Sequence, residues 1–366
     1  MALNICKVCK EKKLLTSALS VCKDCIKENF NLTKPFLDEA HKESRKAFFL
    51  PEGEPLKKEG IPCRICAKGC KIPEGEYGYC GLRKNLKGKL IGPKNIEARA
   101  SWYLDPLPTN CVADWICPGG TSCGYPEYAY RPGPEYGYYN LAVFFEACNL
   151  NCLYCQNWHF KYETFNTRYR RLEDFLKAIT PQVSCICYFG GDPSPQAPFA
   201  IKASFEALKI KKGRILRICW ETNGHFNEKI LSKIIELSLI SGGIIKFDLK
   251  AITPEIYYAL TGGEVAPVLE NFKKVAEFIK ERPEVPLLTA STLLVPGYVE
   301  DEEVEKIAQF IAKINPEIPY RLLAFSPQFY MKDMPLISKE KAFLALEKAK
   351  RAGLKRVSLG NEHLLR

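Results

Sequence analysis

The chain has 366 residues, 46% of them hydrophobic, a formal net charge of +11 and 17 cysteines. That is enough apolar chain for one large domain with smaller modules, which excludes a disordered polymer. No run of 18 apolar residues occurs, which excludes a helical membrane span.

Residues 1–30 carry Cys6-x2-Cys9, twelve residues, then Cys22-x2-Cys25. Two such knuckles make a closed tetrahedral site, and zinc is the first choice over iron or an iron–sulfur cluster. So short a zinc-ribbon-like module cannot bury a core, so the metal would supply its folding energy and a structural role. The opening Met1-Ala-Leu-Asn-Ile-Cys6 lacks a secretion signal's apolar segment. The cysteines therefore read as ligands in a reducing, anaerobic cytoplasm, not as a disulfide framework. Residues 31–60 read as a connector, helical over 31–49 and ended by Pro51, Pro55 and Gly60.

Residues 61–138 form a cysteine-rich region. Cys63-x2-Cys66-x3-Cys70 and Cys80 complete one further four-ligand site, either zinc or an auxiliary cluster. Residues 93–138, rich in Pro, Gly and Tyr, should be mostly loop. They hold Cys111, Cys117 and Cys123. Three ligands leave an iron open, or need a fourth from elsewhere, or are free thiols; Pro118-Gly119-Gly120, which lets backbone approach closely, favours a second cluster. The stretch 61–123 is long enough to wrap the open end of whatever follows. Residues 1–100 also hold 21 Lys and Arg against 12 Asp and Glu. Such a surface could meet nucleic acid or an acidic protein; a solvated lysine-rich face explains it as well, and nucleic acid is not favoured.

From residue 139 to 366 short apolar runs alternate with helical stretches. Strands are expected near 141–145, 184–189, 215–220, 244–249, 287–294 and 320–325. Helices are expected near 172–178, 198–210, 227–239, 268–281, 301–314 and 338–352. Six βα units predict a parallel sheet with its working residues at the C-terminal strand ends. Cys185, Cys187 and Cys219 fall inside strands and read as buried free thiols.

Directly after the first of these strands comes Cys148-Asn-Leu-Asn-Cys152-Leu-Tyr-Cys155. Three thiolates this close suit an iron–sulfur cluster with one iron open, or a zinc site that borrows His159. The spacing Cys-x3-Cys-x2-Cys, with Tyr154 before the last cysteine, resembles the signature loop of the radical S-adenosylmethionine (SAM) superfamily. Gln156-Asn157-Trp158 is similar to the pyruvate formate-lyase activating enzymes. Further motifs follow in that family's order. Gly190-Gly191-Asp192-Pro193 resembles Gly-Gly-Glu-Pro, Glu221-Thr222-Asn223-Gly224 matches Glu-Thr-Asn-Gly, and Asp248-Leu249-Lys250 matches Asp-Leu-Lys. Val295-Pro296-Gly297 matches as well, whereas Ser326 stands where the activating enzymes have histidine. The segment 61–92 resembles the one that precedes the barrel in the AmmeMemoRadiSam group.

The resemblance implies an α/β fold, a partial (β/α)6 radical SAM barrel preceded by small cysteine-rich metal modules. It implies that Cys148, Cys152 and Cys155 hold a [4Fe–4S] cluster. Tyr154, Gly190, Gly191, Asp192, Glu221, Thr222, Asn223, Asp248 and Lys250 then surround SAM, with Asp192 on its amino group and Lys250 on its carboxylate; His225 is a polar neighbour. The implied activity is reductive cleavage of SAM to a 5′-deoxyadenosyl radical that abstracts hydrogen, as in glycyl-radical-enzyme activation. A flavodoxin or ferredoxin would donate the electron and a protein would be the substrate. Modification of RNA, a peptide or a small molecule, and a metal-binding scaffold without activity, are the alternatives.

Overall fold

A computed structural model describes residues 3–56, 58–109, 111–165, 168–211 and 213–366; the first two residues of the four-cysteine module lie outside them. Eight strands form one sheet in chain order: β1 (Ala100–Pro106), β2 (Tyr139–Phe145), β3 (Val183–Gly190), β4 (Arg217–Thr222), β5 (Ile245–Asp248), β6 (Leu288–Leu294), β7 (Tyr320–Ala324) and β8 (Val357–Gly360). β1 is antiparallel to β2, and every later pair is parallel. Among the described residues β1 and β8 do not pair, so the barrel is open.

Among the described residues seven parallel strands therefore stand where six were expected. β8 escapes notice because only Leu359 and Gly360 of Val-Ser-Leu-Gly are buried, which breaks the apolar run. β1 lies in a stretch expected to be loop, and its exposed Tyr103 and Leu104 hide the alternation. Both edge strands are half solvated, where sequence patterning is weakest.

The crossover helices match the expected periods and have local stop signals. Glu228–Ser241 starts where the Asn227 side chain accepts from Lys229 N, and ends at Gly242 with φ +76°. Asp301–Ile314 has three acidic residues in its first turn and Lys313 in its last, both favourable to the helix dipole. A further helix, Pro254–Thr261, begins with proline at its first turn and closes at Gly262. Among the described residues no helix is long and apolar enough to cross a membrane.

The N-terminal module packs on the barrel, and its Leu15, Leu19, Val21 and Ile26 join the main core. Thr16 N donates to the Tyr298 hydroxyl at 3.2 Å, and Thr16 Oγ1 donates to Asp333 at 2.8 Å. Gly297 makes this approach feasible, because a Cβ there would stand 2.6 Å from the Leu14 carbonyl oxygen. The Val-Pro-Gly stretch thus holds the ribbon here.

The helix expected over 31–49 runs Phe30–Lys46 and lies at the C-terminal end of the sheet, where His41 and Ser44 bond to Asn151. The segment 61–92 also lies at that end: Ala67 N donates to His225 O at 3.0 Å and Arg83 to Pro195 O at 2.8 Å. Residues 107–109 and 111–138 come from the opposite end, contrary to expectation, and Val112 reaches through to the C-terminal strand ends. They enter between the N-terminal ends of the strands, where Glu135, wholly buried, pairs with Arg217 at the start of β4 at 2.6 Å.

Candidate active site

At the C-terminal end of the sheet, the loop after β2 is clamped from two sides. Asn151 N donates to Thr261 O at 2.8 Å and Leu153 N to Leu260 O at 3.0 Å. The Asn151 amide donates to Ser44 Oγ at 2.7 Å and to His41 Nδ1 at 3.0 Å, and its oxygen accepts from Lys161 Nζ at 2.8 Å. His41 Nε2 faces the Tyr258 and Ala259 carbonyls, each at 3.1 Å, which fixes the proton on that nitrogen. The N-terminal helix is thereby part of the support of the cysteine loop. An Asn151→Ala variant, which strands the buried Lys161 cation, is expected to lose about 2–3 kcal/mol in urea unfolding; Asn157→Ala, at the exposed side of the loop, should lose far less.

The loop opens into a cavity of about 220 Å³ lined by Cys148, Cys152, Tyr154, Cys155, Gly190, Gly191, Asp192, Glu221, Asn223, Asp248 and Lys250. All the sequence-derived site residues of the barrel meet there except Thr222, which stands behind Asp192. The order of motifs along the chain follows the order of strands across the sheet, so successive strand ends deliver them side by side.

Gly190 and Gly191 bring backbones together. A Cβ on Gly190, at φ +102°, would stand 2.5 Å from Phe145 N, and one on Gly191 2.4 Å from Ala147 O. The amides of Gly191 and Asp192 donate to Phe145 O and Ala147 O at 2.7 and 2.9 Å. Asp192 is buried, which pushes its carboxyl up against the bonds it accepts from Ser194, Thr222 Oγ1 and, at 2.7 Å, Asn223 N. It holds two strand-end turns together. The Asn223 amide likewise reaches Asn149 Oδ1 at 2.8 Å, within the cysteine loop.

A row of alternating charge crosses the floor. Lys246 Nζ lies 3.1 Å from both Glu221 and Asp248, and Lys250 Nζ lies 2.8 Å from Asp248, which also accepts from Ser291 Oγ at 2.8 Å. Burial alone would raise the Asp248 carboxyl, but Lys246 and Lys250 hold it well below the usual carboxylate range. Lys246 was missed from the sequence. Its signal is the period-two Lys-Phe-Asp-Leu-Lys, which sets three charges on one face of a strand whose other face is core. Lys161, also unforeseen, is buried in the cavity wall.

Cys148, Cys152 and Cys155 fit a cluster better than a single ion. Among the described residues, only Cys6, Cys9, Cys22 and Cys25 have ligand atoms all within 4.8 Å of one another, as one tetrahedral metal needs. His159 does not serve as a zinc ligand: it is exposed and stacks on Trp158 at 3.9 Å. Burial pushes the Cys152 thiol up to about 12, so iron would have to displace its proton. The Tyr154 hydroxyl is buried in the same wall with no hydrogen-bond partner among the described residues. Soft donors, fixed charge and an unpaired hydroxyl together suit a cluster with a polar ligand beside it.

Cys63, Cys66, Cys70 and Cys80 line a separate small cavity, together with Asn149 of the signature loop. Ser326 lines neither. His225 is buried, and its Nε2 lies 3.1 Å from the Tyr257 hydroxyl. Burial lowers His41 to about 4 and His225 to about 3, so both are neutral in the folded chain. Unfolded histidine titrates near 6.5, so below that pH the unfolded chain binds more protons. Folding stability should fall as pH drops from about 6.5 toward 4, by up to about 1.4 kcal/mol per unit for each histidine. Urea midpoints across that range measure it, and a His41→Gln variant should show a shallower slope.

Residues 142–311 match the sequence model of the radical SAM superfamily. The chain is 26% identical over 328 residues to an uncharacterised protein of Methanocaldococcus jannaschii, across 87% of this chain and 85% of that one. It is 33% identical over 137 residues to the isethionate sulfite-lyase activating enzyme of Desulfovibrio desulfuricans, across 37% of this chain and 40% of that enzyme. A domain of pyruvate-formate lyase-activating enzyme from Bacteroides vulgatus aligns with 48% of this chain and 98% of itself, at 17% identity and a TM-score of 0.38.

Proposed function

The chain is an enzyme with a radical SAM domain, and from that premise we propose that it cleaves SAM reductively in the cavity beneath the signature loop and abstracts hydrogen from a protein substrate. The observation that carries this reading is the meeting of Cys148, Cys152 and Cys155 with the Asp248–Lys250 pair and Asn223 in one cavity. The three cysteines would hold a [4Fe–4S] cluster, and Asn223, Asp248 and Lys250 would hold SAM. When bound, the cluster supplies one electron that splits the sulfonium of SAM into methionine and a 5′-deoxyadenosyl radical.

The chain's own part is charge and position. Lys161 puts a fixed cation near three thiolates, and Asn151 keeps it there. Lys250, held against Asp248, offers a charge-assisted donor to a carboxylate. Asp248 stays ionised and accepts from hydroxyls or ammonium groups. The clamps on the cysteine loop keep these groups from rearranging between turnovers. A protein substrate is supported by the kinship with an enzyme named for activating another enzyme. The electron would come from a flavodoxin or ferredoxin.

Anaerobic protein reconstituted with iron and sulfide, then given dithionite and SAM, should release 5′-deoxyadenosine and methionine in equal amounts. Intact SAM after reduction of the cluster would contradict this reading.

A further inference from the structure

Beneath the SAM cavity lies a second, smaller one of about 40 Å³, and five cysteines line it. We propose that Cys111, Cys117, Cys185, Cys187 and Cys219 form a second iron–sulfur site inside the barrel, of the [2Fe–2S] type, with four of the five thiolates as ligands. Nothing in the reaction proposed above requires it.

The topology converges these residues from three places. Cys185 and Cys187 lie two apart on one face of β3, so their side chains share the barrel interior. Cys219 of β4 is the register partner of Cys187, about 5 Å away at the backbone. The loop that enters between the N-terminal strand ends brings the other two. Cys111 Sγ lies 3.1 Å from Glu221 Oε1, and Cys117 Sγ accepts from Gly120 N at 3.3 Å. The sequence trio is not the ligand set, because Cys123 Sγ turns away to donate to Ile116 O at 3.0 Å.

A single buried cysteine is an ordinary core residue, and one or two would need no explanation. Five around one unfilled space are different. An apolar core is stabilised by filling a gap of about 40 Å³ with a larger side chain. Five sulfurs in the lining, beside Leu107, Ala113 and Ile244, suit a soft metal centre. The free space suits the four-atom core of a [2Fe–2S] cluster better than a cubane. A lone zinc ion fits less well, since no three of these sulfurs meet the 4.8 Å spacing found in the ribbon. Arg217 and Lys246, each already paired with a carboxylate, lie on the wall and place N–H donors beside the sulfurs. Glu221 and Lys246 line both cavities, so this centre would sit directly below the SAM site.

The test uses the full chain, reconstituted anaerobically with ⁵⁷Fe and sulfide, beside a Cys185→Ala/Cys187→Ala variant. Loss of about two irons and two sulfides per chain, with the SAM-responsive cluster signal retained, is the expected result. Unchanged iron in the folded variant, or zinc lost in place of iron, would overturn the proposal. Should that variant not fold, Cys117→Ser/Cys219→Ser keeps the volume and, with four of the five cysteines as ligands, changes at least one donor. It must alter the Mössbauer doublet of a two-iron centre, and an unaltered spectrum would overturn the assignment equally.

Discussion

A Cys152→Ala variant, reconstituted like the wild type, is expected to form no detectable 5′-deoxyadenosine while keeping its fold. Cys152 is the central cysteine of the loop, flanked by the two amides that bond to the helix ending at Thr261. Those bonds hold the loop without the thiolate, so the variant should unfold within about 1 kcal/mol of the wild type. They also prevent the loop from offering a substitute. Asn149 and Asn151 are committed to other partners, and His159 is exposed and stacked on Trp158. A three-cysteine cluster cannot lose a ligand and keep one iron open for SAM. The iron content should fall together with activity. Retained cleavage would place the reaction elsewhere.

The largest effect on stability is expected at the opposite end of the barrel. Glu135 and Arg217 are buried, and Arg217 also donates to Tyr128 O at 2.8 Å and Ser184 Oγ at 2.9 Å. Burial would raise the Glu135 carboxyl, yet the guanidinium beside it holds it below its ordinary value. Glu135→Ala leaves the cation without its counter-charge and should cost about 3–5 kcal/mol. Glu135→Met/Arg217→Met removes both charges and should recover most of that loss. Urea unfolding of the two variants measures the difference. Equal destabilisation would show that packing of the 107–138 loop, not the charge, is what Glu135 supplies.

The barrel was legible because its strands are buried on both faces, which leaves continuous apolar runs between capped helices. The cavity was legible because its residues follow the strand ends in chain order. What stayed hidden depends on contacts across the sheet. Nothing local marks Asn151 and His41 as partners, being 110 residues apart. Lys246 was overlooked because the motif resemblance begins two residues later, at Asp248. Cys185, Cys187 and Cys219 read singly as core, and only the sheet register sets Cys187 beside Cys219 and both within reach of a loop from the other end. The placement of residues 107–123 could not follow from composition, since a Pro- and Gly-rich loop has no period to say which end of a barrel it enters.

The central claim is that SAM binds against the cluster held by Cys148, Cys152 and Cys155. Low-temperature electron paramagnetic resonance of the dithionite-reduced protein, with and without SAM, tests it most directly. The reduced-cluster signal should change its g-values when SAM is added, and Asp248→Asn should need a higher SAM concentration for the same change. A signal from that cluster that saturating SAM leaves unmoved would contradict the account.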